Sequence, residues 1–421
     1  MAIIYSYPII TSLTNDDRLI ISDMDSTTGN PTKSVTLSTL ATFLGSQTGG
    51  PFVPYVDGNG KRITRTEDTN KNTSLGFEAL ASNLLIGIGN VAMGYNAGKV
   101  LEGGLYNVMI GYESGIANVS GVDNILIGRD AGKAITDGQR NVIIGSDAGE
   151  AITTEDNNIC IGRFAGNDLI TSDTVCIGVS AGSKFTTGVK NTFIGNYAGQ
   201  NNVTGDSNTM VGYNAGNFQK GGVNTFVGDL AGYGDIGGNS TGQRNTGVGQ
   251  QSLNNVRSSF NTAIGFNSGS TITTGTYNSC IGHAAEPTVA TATGEFTLGD
   301  SNVAVLRCQQ TTITALSDQR DKTSIEDLPY GLDFINSLQP RKFVWDNRVE
   351  IDSDGNEYFS LNKGKKDIGF IAQELQTVDD EWLNLVYDSN PERLEASYGK
   401  LIPVLVKAIK ELKARVEALE A

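Results

Sequence analysis

The chain has 421 residues, with 31 basic and 46 acidic side chains and a formal charge of −15. That excess of negative charge excludes a nucleic-acid binder, which meets phosphates with lysine and arginine, and it keeps an exposed particle soluble. Glycine is abundant at 52 residues and aromatics make up only 7%; without a Gly-X-Y period this excludes collagen and points to a turn-rich, mainly β chain.

No stretch reaches the roughly 18 consecutive apolar residues of a membrane span, so no membrane insertion is expected. The start MAIIYSYPII lacks a basic n-region and is not read as a signal peptide, which predicts synthesis and folding in a reducing cytoplasm. Cys160, Cys176, Cys280 and Cys308 form no C-x-x-C pair, and His283 is the single histidine. Neither a metal site nor a cofactor is therefore expected.

Residues 1–48 read as a small N-terminal module. DRLIISDMD predicts a strand and TTGNP a turn, and SVTLSTLATFLG predicts a strand leading into a short helix capped by Ser38. Residues 49–75, with GGPFVPYVDGNGKRITR, read as a connector.

Residues 76–305 are dominated by the repeat N-x-x-[IV]-G-x-x-A-G, seen at Asn107–Gly115, Asn124–Gly132, Asn141–Gly149, Asn158–Gly166, Asn191–Gly199 and Asn208–Gly216. The central glycines are 16 or 17 residues apart, except for a step of 21 between Gly228 and Gly249 that contains GDIGGNSTGQ and should bulge from one face. Triplets such as VMI, ILI and VII are short strands. The glycine after them supplies a positive φ or a close approach. The following Ala-Gly is a second corner, and the asparagine is expected to bond its own backbone. Linkers such as KAITDGQR read as polar. One such unit cannot bury its own apolar face, whereas stacked copies can, so the repeat predicts a β-solenoid. Cys160, Cys176 and Cys280 fall at the strand centre, as small core residues. Three residues before the glycine, Val142, Ile159 and Val175 give way to Thr192, Thr209 and Thr225. That stripe is read as solvated or hydrogen-bonded between chains, in preference to a sugar-binding stripe.

Residues 306–421 differ again: glycine thins and both tryptophans, Trp345 and Trp382, appear. Asp352–Gly355 faintly resembles a calcium loop but reads better as a hairpin turn between strand-like VEI and EYFSL. Gly87 and Gly89 lack the context of a dinucleotide site. The tail from Pro391 reads as helical, with Ile402, Leu405, Ile409, Leu412, Val416 and Leu419 as an a/d heptad seam and Pro403 predicting a kink or restart. Ile or Val at a with Leu at d leans toward two strands, so a trimer has to be imposed by the rest of the domain.

The repeats resemble the head repeats of trimeric autotransporter adhesins and the shafts of phage tail fibres, which implies a homotrimer. Residues 1–48 look like the N-terminal module by which such fibres dock on a virion baseplate or tail component. Ser317, Asp318, Arg320 and Lys322 in the pattern S-D-x-R-x-K, followed by LQPRKFVW and GFIAQEL, resemble the intramolecular chaperone domain of endosialidases, from Ser317 to the end of the chain. That family implies a self-cleaving peptidase that drives trimerisation and then cuts before the motif serine. Carried over, the scissile bond is Leu316–Ser317, with Ser317 as nucleophile, Lys322 as base, and Asp318 and Arg320 as supporting residues. A lysine can act as base only if burial or a neighbouring cation favours its neutral form, and Arg320 is the candidate cation.

The expected fold is mainly β: a homotrimeric β-solenoid shaft with a small N-terminal module and an α+β C-terminal domain ending in a coiled-coil helix. The expected function is a virion tail fibre for host attachment, meeting a surface receptor that includes glycan among its candidates. The alternatives are a bacterial trimeric surface adhesin and a tailspike degrading host polysaccharide.

Overall fold

The computed structural model describes residues 18–22, 32–36, 64–67, 70–82, 86–238, 240–303, 305–309, 317–346, 350–351, 357–358 and 363–421. The expected helix after Ser38, the residue Leu316 and the turn Asp352–Asn356 lie outside them. The chain divides into two compact units, Met1–Asn141 and Val142–Ala421.

In the first unit, β1 (Arg18–Ser22) and β2 (Thr32–Thr36) pair antiparallel across the predicted turn. β3 (Thr64–Glu67) pairs antiparallel with β4 (Asn72–Leu75). From β4 the solenoid begins, with β5 (Val91–Met93), β6 (Val108–Ile110) and β7 (Ile125–Ile127) added in parallel, one per coil.

The second unit continues the pattern with β8 (Val142–Ile144), β9 (Ile159–Ile161), β10 (Val175–Ile177), β11 (Thr192–Ile194) and β12 (Thr209–Val211). It goes on through β13 (Thr225–Val227), β14 (Thr246–Val248), β15 (Thr262–Ile264), β16 (Ser279–Ile281) and β17 (Phe296–Leu298). All of these pair in parallel, each strand with the next. The predicted mainly-β solenoid of about 17-residue repeats is therefore what the chain forms.

Each three-residue strand from β5 to β16 buries its centre and turns its two outer residues outward. Met109, Leu126, Ile143, Cys160 and Phe193 are fully buried, as the cysteine reading required. The repeat alanines, such as Ala131 and Ala148, are buried beside them. The linkers hold a third interior position that the sequence reading missed. Ile135, Ile152, Leu169 and Phe185 are fully buried, each three places after Ala-Gly.

The central glycines are required. Gly111 has φ +137°, and a Cβ there would lie 2.2 Å from the Gly128 carbonyl oxygen of the next coil. Two further corners per coil use left-handed backbone at ordinary residues, such as Asp123 (φ 56°) and Asp130 (φ 54°). Only the solenoid's stacking holds those residues there, against an intrinsic cost of about 1–2 kcal/mol each.

The asparagine acts differently from the expectation. Its side chain bonds the neighbouring coil, not its own backbone. The backbone N–H and Nδ2 of Asn107 both donate to Asn90 Oδ1, at 2.9 and 3.0 Å, and Nδ2 also donates to the Gly121 carbonyl at 2.6 Å. The same pattern climbs from Asn107 to Asn124. In the second unit it runs from Asn208 to Asn224, Asn245, Asn261 and Asn278. These asparagines are buried, so the ladder satisfies backbone N–H groups that water cannot reach, while Asn208 Nδ2 has no partner among the described residues. Thr174 interrupts it, donating its N–H to Asn158 Oδ1 at 3.0 Å but having no side-chain amide to offer the next coil.

The 21-residue step bulges as expected. Residues 235–238 turn outward, leaving Ile236 73% exposed, and the coil rejoins where Lys220 N–H meets the Ser240 carbonyl. Strands β13 and β14 remain in register across it.

Beyond the solenoid, the second unit packs a small α+β core of Leu338, Leu375, Leu383, Leu385, Val386, Leu401 and Val404. Its helices are α1 (Leu332–Ser337), α2 (Ala372–Gln376) and α3 (Leu401–Glu420). β18 (Arg341–Val344) pairs antiparallel with β21 (Lys366–Gly369). β19 (Glu350–Ile351) and β20 (Glu357–Tyr358) pair antiparallel around the expected hairpin turn. β22 (Val386–Tyr387) and β23 (Glu395–Ala396) form a further hairpin. The segment from Pro391 is therefore not helical throughout; the helix starts at Leu401. Pro403 causes no restart, because it stands in the first turn of α3, where a missing N–H leaves no intrahelical bond unmade. Among the described residues no helix is long and apolar enough to cross a membrane.

Candidate functional site

Residues 317–322 form a tight local fold. Asp318 caps the 3₁₀ turn Gln319–Asp321 by accepting from Arg320 N–H at 2.8 Å. The Arg320 guanidinium turns back onto the same carboxylate, with Nη2 at 2.6 Å from Oδ2 and Nε at 3.1 Å from Oδ1. That guanidinium bond holds the Asp318 carboxyl below its ordinary range. After the turn Lys322 is extended, with its N–H donating to the Gln319 carbonyl at 3.1 Å. Its side chain reaches back across the turn and donates from Nζ to Ser317 Oγ at 2.5 Å.

The structure thus brings Ser317 and Lys322 together and pairs Asp318 with Arg320. Asp318 and Arg320 shape the turn that makes the first contact possible. The expected role of Arg320 as a cation acting on the lysine meets a competitor, since Arg320 is bound to Asp318. All four residues are exposed. In this arrangement the lysine donates to the serine; to act as base it must be neutral and accept the serine proton instead.

Other motif residues build the support. Arg341, from LQPRKFVW, forms an ion pair with Glu374, from GFIAQEL, at 2.7 Å. The ion pair ties the two motifs together in space. Tyr398 Oη bridges the N–H and carbonyl of Phe370, both at 3.2 Å. Asp379 accepts from the N–H groups of Leu385 and Val386, both at 2.8 Å. Asp380 accepts from Tyr330 Oη and from Leu383 N–H. Glu411 of α3 caps α1 by accepting from Leu332 N–H at 2.7 Å. The sequence reading missed the roles of Asp379, Asp380 and Glu411; their signal is an acid placed where a turn or helix leaves N–H groups unbonded.

The residues of the expected heptad seam lie on the outer face of α3. Leu401, Val404 and Ala408 face the core, while Ile402 (64%), Ile409 (66%) and Leu419 (88%) are exposed.

No curated protein and no solved structure matches the chain. Residues 317–384 match the family model for the chaperone of endosialidase. Set beside the β-solenoid, that match fits a tail-fibre or endosialidase-type protein, and the matched family implies an autoproteolytic intramolecular chaperone domain.

Proposed function

We propose that the chain is one protomer of a homotrimeric virion tail fibre. Residues 1–48 attach to the virion, and residues 76–305 form the shaft that meets a host surface receptor. Residues 306–421 assemble the trimer and then cut the chain at Leu316–Ser317. The observation that carries this reading is the 2.5 Å contact between Ser317 Oγ and Lys322 Nζ at the first residue of the family match.

In the proposed reaction Ser317 Oγ attacks the Leu316 carbonyl carbon. Lys322 takes the serine proton and passes it to the departing Ser317 nitrogen, and water then hydrolyses the resulting ester. The exposure of Ser317 and Lys322 in a single chain argues that cutting waits for assembly, since a neighbouring copy would desolvate the lysine and favour its neutral form. Two features support the trimer. The a/d seam of α3 is exposed, and the solenoid's outward rows, such as Val142, Ile159 and Val175 with Ile144, Ile161 and Ile177, are apolar and only partly buried. The hydroxyl row Thr192, Thr209 and Thr225 then suits bonding between chains.

Intact mass of the purified protein tests the cut, and native mass tests the trimer. The expected pieces are residues 1–316 and a fragment beginning at Ser317. Ser317→Ala and Lys322→Ala are each expected to leave a full-length chain. A small fragment beginning elsewhere overturns the site, and cleavage in Ser317→Ala overturns the mechanism.

A further inference from the structure

The asparagine ladder ends on an acid. In the coil carrying β17, the ladder position is Glu295, three residues before Leu298. Its backbone N–H still donates to Asn278 Oδ1 at 3.0 Å, as Asn278 N–H does to Asn261 Oδ1. A carboxylate has no N–H to pass upward. It turns aside and accepts from Thr288 N–H at 2.7 Å and Thr288 Oγ1 at 2.6 Å.

Its remaining donor comes from the other side of the proposed cut. Tyr387 Oη, on β22, donates to Glu295 Oε1 at 2.5 Å. Three residues on, Asn390 Nδ2 donates to the Thr288 carbonyl at 3.2 Å. The β22–β23 hairpin therefore grips the final coil at two adjacent points. Between them lies a cleft of about 670 Å³ bordered by Glu286, Asp300, Arg393 and Glu395. Among the described residues no strand pairs with the far edge of β17. An uncovered parallel edge invites pairing with other chains, and the hairpin stands over this end of the sheet.

We propose that Glu295 terminates the ladder and serves as the docking point for the C-terminal region. The severed piece then stays held on the final coil through Tyr387 until this contact opens, so cutting and release are separate steps. This rests on the proposed cut, because Glu295 and Tyr387 fall on opposite sides of Leu316–Ser317.

The test uses the full chain and two single-atom-scale variants, Tyr387→Phe and Glu295→Gln, which remove the hydroxyl or the charge and little else. Denaturing electrophoresis reports cutting, and size-exclusion chromatography under native conditions reports whether the small fragment travels with the shaft. The expected result is unchanged cutting in both variants, a fragment that co-elutes in the parent, and dissociation about tenfold faster in the variants, as loss of a hydrogen bond to a charged group implies. A fragment that is cut and leaves at the same rate in parent and Tyr387→Phe overturns docking while leaving the cut intact. Absence of cutting overturns the proposed reaction alone. Docking is then read in uncut Ser317→Ala by hydrogen exchange. Tyr387→Phe is expected to raise exchange at residues 288–298 several-fold, and equal exchange overturns the docking point.

Discussion

Replacing Asn107 by alanine tests the ladder at one rung. Asn107 Oδ1 accepts from Asn124 N–H at 3.1 Å and Asn124 Nδ2 at 3.0 Å, and Asn107 Nδ2 donates to Asn90 Oδ1 and the Gly121 carbonyl. Alanine leaves the buried Asn124 N–H without its partner, while the Gly121 C=O keeps the longer bond from Leu105 N–H at 3.3 Å. At about 1–3 kcal/mol for the orphaned N–H and about 1 kcal/mol for the lost bond to the carbonyl, the expected loss is about 3 kcal/mol. Coils contact only their neighbours, so the loss is local and a single melting temperature describes it poorly. Hydrogen exchange of amides in the adjacent coils is the suitable assay. Asn107→Asp sharpens the test. The carboxylate keeps the acceptor but sets a buried negative oxygen against Asn90 Oδ1 and Gly121 O, which favours its protonated form when folded. Its folded pKa is then above the unfolded one, so the variant gains stability as pH falls and loses it as pH rises. Protection within 1 kcal/mol of the parent in Asn107→Ala (about 1 kcal/mol being the value of one ordinary bond), or no pH dependence in Asn107→Asp, refutes the ladder as a source of stability.

Gly111→Ala is expected to cost several kcal/mol, because the methyl group meets the backbone of the next coil and no side chain can move aside; soluble protein with parental exchange around Gly128 contradicts this. A thiol reagent is expected to modify the native protein at Cys308 alone: Cys160, Cys176 and Cys280 are buried, and burial pushes the Cys280 thiol up to about 12. Labelling of all four cysteines without denaturant refutes the core assignment. Docking of the C-terminal region is expected to weaken in acid. Burial raises the Glu295 carboxyl, but the Thr288 and Tyr387 donors outweigh it and hold the group below its ordinary value. The contact is therefore at full strength above the ordinary carboxylate range and is lost as pH falls through the depressed value. Around the cleft stand Glu286, whose carboxyl burial pushes up, and Asp300, Arg393 and Glu395. Equal fragment release at neutral pH and well below the ordinary carboxylate range refutes this.

The strands and glycine corners were legible because their period is short and repeated: VMI and ILI announce a buried centre, and Gly111 or Gly128 a backbone that no side chain tolerates. The partner of each asparagine was not legible, since a bond to a residue 17 positions away looks the same in sequence as a local one. Ile135 and Leu169 were hidden inside linkers read as polar. The Ser317–Lys322 pair was proposed through a resemblance; the turn capped by Asp318 supplies the physical reason that two residues five apart can meet. The contact between Tyr387 and Glu295 spans 92 residues, and no local pattern encodes it.

The 21-residue step carries a lesson about change over generations. Gly228 and Gly249 stand farther apart than any other neighbouring pair from Gly94 to Gly282, yet Thr225, Phe226 and Val227 still face Thr246, Gly247 and Val248. Extra residues at 235–238 were absorbed at the surface without disturbing the sheet. A loop here is thus an insertion point where new recognition chemistry can be tried at little cost to folding. An in-frame duplication of one whole coil would be tolerated for the same reason, adding about 4.8 Å of sheet. Reach and surface chemistry can then vary independently in descendants of one gene.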